Sequence, residues 1–291
     1  MNENILDHQG IRKGPPRPLN FFTKIQVLFG GFGVQFGAVF FWFGMIFTLI
    51  FVGQSECIHW FSSDGNWVQS EGLLLEIEET NVEVNEETIY QYTFSYNVEG
   101  QSFQGISNGS YSGMLEGNLT TIEYKSDNPI RARIVGMTTE VFPSWVVFVL
   151  VFPFLGLIFI LGGFRANWKA LHLIINGVFT RGKMLGYKAT NTEINDQTVY
   201  AYEFEFSVRG KKYISKCKTH LTERVEDEEL EKIIYDLNDP NTNCVYDAIA
   251  AAPKIDQFGK LEESGVGALV YLLSTIIGLL VNGVIYWWLY L

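Results

Sequence analysis

One β-rich segment is written twice in this chain, with a long uncharged run between the copies. Residues 84–103, VNEETIYQYTFSYNVEGQSF, align without a gap to residues 194–213, INDQTVYAYEFEFSVRGKKY, and seven of the 20 positions are identical. Unrelated segments would share about one, so internal duplication is the economical reading. The fold must therefore accommodate two similar small β units and an apolar segment joining them.

Three runs, residues 34–53, 141–164 and 265–291, contain no charged residue. Each has the ~20 apolar residues that a helix needs to cross a hydrocarbon core. Ahead of the first, Phe21, Phe22, Ile25, Leu28 and Phe29 share one helical face, which reads as an interfacial lead-in. Residues 21–53 are thus expected to be an interfacial segment plus a first transmembrane helix. That helix is too long for a signal peptide and is read as a retained anchor.

Cations near membrane ends resist translocation and so report orientation. Arg12, Lys13, Arg17 and Lys24 precede the first run, and the 20 residues after it have no Lys or Arg. Lys254 and Lys260 precede the third run and nothing basic follows it. Both comparisons put residue 1 in the cytosol and residue 291 outside. A crossing at 141–164 then places the two β units on opposite faces.

The net charge of -11 is concentrated in residues 54–140, which hold 3 basic and 14 acidic groups. Residues 165–264 hold 14 and 16. An acidic outer unit of this kind is first of all a solvated surface. No basic stripe suggests nucleic acid. Cys57 falls outside and Cys217 and Cys244 inside, which supplies no disulfide framework.

Residues 1–20, with Pro15-Pro-Arg-Pro18, read as a flexible cytosolic tail. The first β module is expected over 72–137, an amphipathic connector over 165–177 ending at Asn176-Gly177, and the second module over 178–250. Tyr90, Tyr92, Phe94, Tyr96 and Val98 alternate with polar residues, as do Tyr200, Tyr202, Phe204, Phe206 and Val208. Period-two alternation predicts one strand per copy with an aromatic face. Glu99-Gly100 and Arg209-Gly210 then mark tight hairpin turns. Opening strands at 73–79 and 179–187, return strands, and closing strands around an Asn/Asp-Pro turn give about five strands per copy. The fold class is membrane α plus β: three transmembrane helices with two duplicated antiparallel β-barrel or curled-sheet modules. Five strands are too few to enclose a sizeable ligand cavity, which needs about eight.

The combination of a membrane helix, an aromatic strand with a glycine turn, and a closing Tyr-x-x-x-x-Pro resembles the bacterial domain of unknown function 3592 family. It is present as Tyr90-Gln-Tyr-Thr-Phe-Ser-Tyr, Gly100 and Tyr124 to Pro129, and again as Tyr200-Ala-Tyr-Glu-Phe-Glu-Phe, Gly210 and Tyr235 to Pro240. The resemblance spans most of residues 20–290. It implies a bacterial membrane protein with small β modules and supplies no active site.

Candidate chemistry is sparse. His59 and Asp64 with Ser62 or Ser63 make a conceivable hydrolase trio, but no nucleophile elbow surrounds them. Cys217, His220 and Cys244 lack zinc-site spacing. Glu76, Glu78, Glu79, Glu86 and Glu87 lack the order of a calcium loop. Glu226 to Glu229 read as the acidic first turn of a short helix. The spans contain no Asp, Glu, Lys, Arg or His, which argues against a transporter acting alone. Gln35 and Asn282 are expected in interhelical hydrogen bonds, Gly33 and Gly37 at a close helix crossing, and Pro143 and Pro153 at a kink. Catalytic, cofactor and metal sites are all expected to be absent. The reading is a non-catalytic interaction or envelope-signalling protein of the bacterial inner membrane, with the lipid bilayer and unidentified proteins as partners. The alternatives are a subunit of an oligomeric pore or transporter, which requires self-association, and an envelope hydrolase.

Overall fold

The computed structural model describes residues 14–59, 65–84, 86–194, 196–226, 229–256 and 259–291. Its β structure forms two five-stranded antiparallel sheets. The first contains β1 (Trp67–Val84), β2 (Glu87–Val98), β3 (Gln101–Ser110), β4 (Leu119–Lys125) and β5 (Asn128–Ile134), in the order β3-β2-β1-β4-β5. The second contains β6 (Val178–Ile194), β7 (Gln197–Val208), β8 (Lys211–Thr219), β9 (Leu230–Tyr235) and β10 (Asn243–Val245). Its order, β10-β9-β6-β7-β8, is the same topology repeated.

Both sheets are open, so the barrel option falls. The first comes nearest to closing. Asn108 of β3 and Thr138 exchange backbone bonds of 2.7 and 3.1 Å, and Ser107 Oγ accepts from the Ile134 amide at 2.7 Å.

Alternation along β2 and β7 puts the aromatics where expected. Tyr92, Phe94 and Tyr96 are buried with Leu74, Ile122, Ala132 and Ile134. Tyr202, Phe204 and Phe206 are buried with Val225, Ile233 and Val245 in a separate core. The copies also share their irregularities. The β1–β2 register shifts between Leu74 and Glu76 and between Glu79 and Glu83. The β6–β7 register shifts between Met184 and Gly186 and between Ala189 and Glu193. Thr80 Oγ1 donates to the Ile89 carbonyl at 2.6 Å, and Thr190 Oγ1 to that of Val199 at 2.7 Å. Both turns have positive φ at each central residue, 50° and 84° at Glu99-Gly100 and 51° and 77° at Arg209-Gly210. That is the type I′ geometry whose twist suits a two-residue hairpin.

Among the described residues, three helical segments are long and apolar enough to cross a membrane: Phe32–Val52, Ser144–Asn176 and Val266–Tyr290. The first is α2 (Phe32–Phe47) continued by one π-helical turn, Thr48–Val52, which follows α1 (Phe21–Phe29). The second opens as a 3₁₀ segment, Ser144–Leu150, and becomes α3 (Val151–Asn176). The third opens likewise at Val266–Leu272 and becomes α4 (Leu273–Tyr290). Pro143 precedes the 3₁₀ segment and Pro153 lies in the first turn of α3. Pro153 thus lies at the 3₁₀-to-α transition, where it removes one backbone donor from the helix.

Residues 165–177 are not a separate connector. α3 runs unbroken to Asn176, where the Gly177 amide closes on the Leu173 carbonyl at 2.6 Å. Arg165 and Lys169 end the apolar run without ending the helix, since neither breaks helical backbone. Gly33 and Gly37 of α2 cross α3 closely: a β-carbon at Gly37 would lie 2.7 Å from the Ile160 nitrogen. Gln35 Nε2 donates to the Phe29 and Tyr271 carbonyls at 2.7 and 2.6 Å. Asn282 Nδ2 donates to the Trp42 carbonyl at 3.1 Å.

Residues 1–13 of the expected 1–20 tail lie outside the described residues, and of the rest Arg17 and Leu19 are buried rather than solvent-exposed. Arg17 is 2 % exposed. Its amide donates to the Ile175 carbonyl at 2.7 Å, and Nη1 donates to the Ile174 and Gly177 carbonyls at 3.0 and 2.8 Å. A cation at the carbonyl end of α3 also meets the negative pole of the helix. Burial lowers the guanidinium pKa to about 10, which leaves it charged at neutral pH. α1 packs on the rest of the chain through a different side from the one bearing Phe21. Thr23, Ile25 and Val27 are buried, while Phe21 is exposed. Thr23 Oγ1 accepts from the Ser264 amide at 2.8 Å and Asn20 Nδ2 donates to the Ser264 carbonyl at 2.9 Å, so residues around 264 cover that side.

Candidate functional site

Each module carries a groove that includes its β2–β3 or β7–β8 hairpin, but the first is also walled by Asn128, Ile130, Arg131 and Ala132 of β5, whereas the second extends over β6 instead. The first, of about 610 Å³, is lined by Gln91 of β2 and by Gln104, Ile106 and Asn108 of β3, with His59, Arg131 and Glu140 at its end. The second, of about 620 Å³, is lined by Tyr187 and Lys188 of β6, Ala201 and Glu203 of β7, and Lys216 and Lys218 of β8. The register places Gln91 opposite Asn108 and Ala201 opposite Lys218, so the two grooves overlie the same hairpin. Both volumes fall within the ~300–1,000 Å³ usual for ligand sites.

The two grooves differ in chemistry. β3 is uncharged, whereas β8 presents Lys211, Lys212, Lys216 and Lys218. Lys216 pairs across the strands with Glu203 at 2.5 Å and Lys212 with Glu205 at 2.9 Å. Tyr187 packs on Tyr200 and Tyr202 with centroids 5.6 and 5.5 Å apart, and the Tyr202 hydroxyl donates to Glu226 at 2.7 Å. Tyr187 and Ile214 remain exposed.

A network of ionic and aromatic contacts braces the first groove. The Glu56 carboxylate accepts from the Thr139 amide at 2.5 Å, the Thr139 hydroxyl at 2.7 Å and the Glu140 amide at 3.1 Å. Burial alone would raise its pKa, but these bonds, with the Arg133 charge, bring it below the usual glutamate value. His59 Nε2 lies 2.8 Å from Glu140 Oε1, and Arg131 lies 3.8 Å from Glu56. Lys125, Arg131 and Arg133 stand 4.8, 5.7 and 4.3 Å from the Trp67 ring centroid. Arg133 Nε also donates to Glu123 at 2.7 Å. This network is not legible in the sequence, because its members are scattered from 56 to 140 and alternation alone does not bring them together.

His59 is therefore seen with Glu140. Asp64, Ser62 and Ser63 lie outside the described residues. Among the described residues, no group of three His, Cys, Asp or Glu could hold a metal ion. Burial pushes both the Cys217 and Cys244 thiols up to about 12, the reverse of a reactive cysteine. Thr222–Arg224 forms one short 3₁₀ turn, and Asp227 and Glu228 lie outside the described residues. Asn108, which opens a glycosylation sequon, is 5 % exposed, with its side chain donating to the Thr139 carbonyl at 2.9 Å. Comparison with family models, curated proteins and solved structures gives no match.

Proposed function

We propose that the protein is a non-catalytic interaction scaffold of the bacterial inner membrane, with a cytosolic N-terminus and one β module on each side. The observation that carries this reading is the pair of grooves over the matching hairpins of a repeated sheet, similar in size and different in their remaining walls and charge. Duplication of the framework with divergence of the surface suits recognition of two different partners. The lysine-bearing groove suits an acidic protein segment, and the edge strand β8 allows pairing with an extended peptide. The bacterial assignment rests on the family resemblance, and the orientation on the distribution of Lys and Arg. The pore or transporter alternative has less support, since Gln35 and Asn282 already donate to carbonyls of the same chain.

Single cysteines at Gln101 and Lys211, in a cysteine-free background, test this topology with a membrane-impermeant maleimide on intact cells whose outer membrane, if present, is permeabilised. Labelling at position 101 alone is expected. Labelling at both or at neither would put the modules on one face and remove the two-sided scaffold.

A further inference from the structure

An apolar cleft of about 470 Å³ lies where the first sheet meets its own helices, and the proposed function makes no use of it. One wall is a ladder of rings: Phe43 on Phe47, Phe47 on Phe51 and Phe51 on Phe142, with centroids 5.0, 6.1 and 5.0 Å apart. The other wall includes Trp145 stacked on Phe148 at 5.8 Å. Both walls depart from α-helix. The first ends in the π-turn closed by Gly53 N to Thr48 O at 3.1 Å, and the second is the 3₁₀ segment. A π-turn inside a helix is an irregularity found frequently at functional sites.

The end of β1 brings one charge to this cleft. Glu83 is the sole ionisable side chain lining it among the described residues. The module's three cations are engaged elsewhere, Arg131 at Glu56, Arg133 at Glu123 and Lys125 at the Gly65 carbonyl and the Trp67 ring, and among the described residues none is paired with Glu83. A cleft with aromatic walls and a single carboxylate is complementary to an amphiphile with an apolar tail and a protonated amine. The geometry points to a binding site for an amine-headed membrane lipid, with an acyl chain along the phenylalanine ladder and its ammonium at Glu83. This rests on the membrane reading above.

The test uses the full chain in vesicles containing phosphatidylethanolamine or phosphatidylglycerol with brominated acyl chains, at equal mole fraction. The readout is the tryptophan quenching that disappears in Trp145→Phe. The ethanolamine lipid should quench Trp145 about two- to threefold more strongly, as expected for one exposed charge contact. Glu83→Gln should bring the ratio to one and Glu83→Lys should invert it. Equal quenching by both lipids in the unmodified protein would overturn the site while leaving the membrane reading intact. Quenching by neither would overturn the membrane reading and the site with it.

Discussion

At the scale of single residues, the first module depends on charges held close to their partners. Glu56 has its pKa lowered in the folded chain, so its contribution to stability is complete above the ordinary glutamate value of about 4.3 and is lost as pH falls through the lower folded-state value. The thermal midpoint of the first module should therefore drop on acidification below about pH 5, and Glu56→Gln should flatten that slope. A variant with an unchanged acid limb would show that the three hydrogen bonds to Glu56 do not stabilise the fold. The aromatic alternation was legible from sequence because each ring at every second position has one possible face. Arg17 was not: a cation in a proline-rich segment looks like solvent-exposed tail, and only the bare carbonyls at the end of α3 give it a reason to be buried.

At the scale of elements, the close approach of α2 and α3 depends on glycine. A β-carbon at Gly37 would meet backbone at 2.7 and 2.8 Å, while one at Gly162 would meet nothing within 4 Å. Gly37→Leu should sharply reduce the yield of folded protein in detergent size-exclusion profiles. Gly162→Ala should be neutral or stabilising by up to ~1 kcal/mol, the helix-propensity difference. Equal tolerance of both would mean that the crossing is not needed. The lengths of β1 and β6 were not legible, and bulges explain why. The slip after Leu74 shifts the inward phase, so Leu73-Leu-Leu75 and the glutamates beyond it lose strict alternation within one strand. Hydropathy places a boundary at Arg165 that α3 does not have, because it marks where lipid-like composition ends, not where hydrogen bonding ends.

At the scale of the whole molecule, the two sheets have separate cores, and this bears on whether the modules communicate. Cys217 packs against the second core and Cys244, on β10 of the same sheet, against the neighbouring cluster of Ile174, Phe179 and Tyr246, so both report on the second module; burial holds their thiols protonated to about pH 12 and slow toward a disulfide reagent. In a Cys57→Ser background, Phe204→Ala should remove about 3–5 kcal/mol from the second core and accelerate their reaction several-fold. Phe94→Ala should destabilise the first core and leave the thiol rates unchanged. Acceleration by Phe94→Ala would instead identify a coupled pair and favour the signalling version of the scaffold.

The repeated register has a further consequence, for assembly rather than recognition. β2 and β7 meet β1 and β6 through the same sequence of paired and skipped positions, so either hairpin could be accepted by either sheet. A newly made chain thus carries two interchangeable parts, and nothing in the local pairing rules says which belongs where. The order of synthesis and the apolar run between the copies must do that sorting. Strand exchange, within one chain or between neighbours, is therefore the misassembly that this duplication invites whenever both parts are released unfolded into the same compartment.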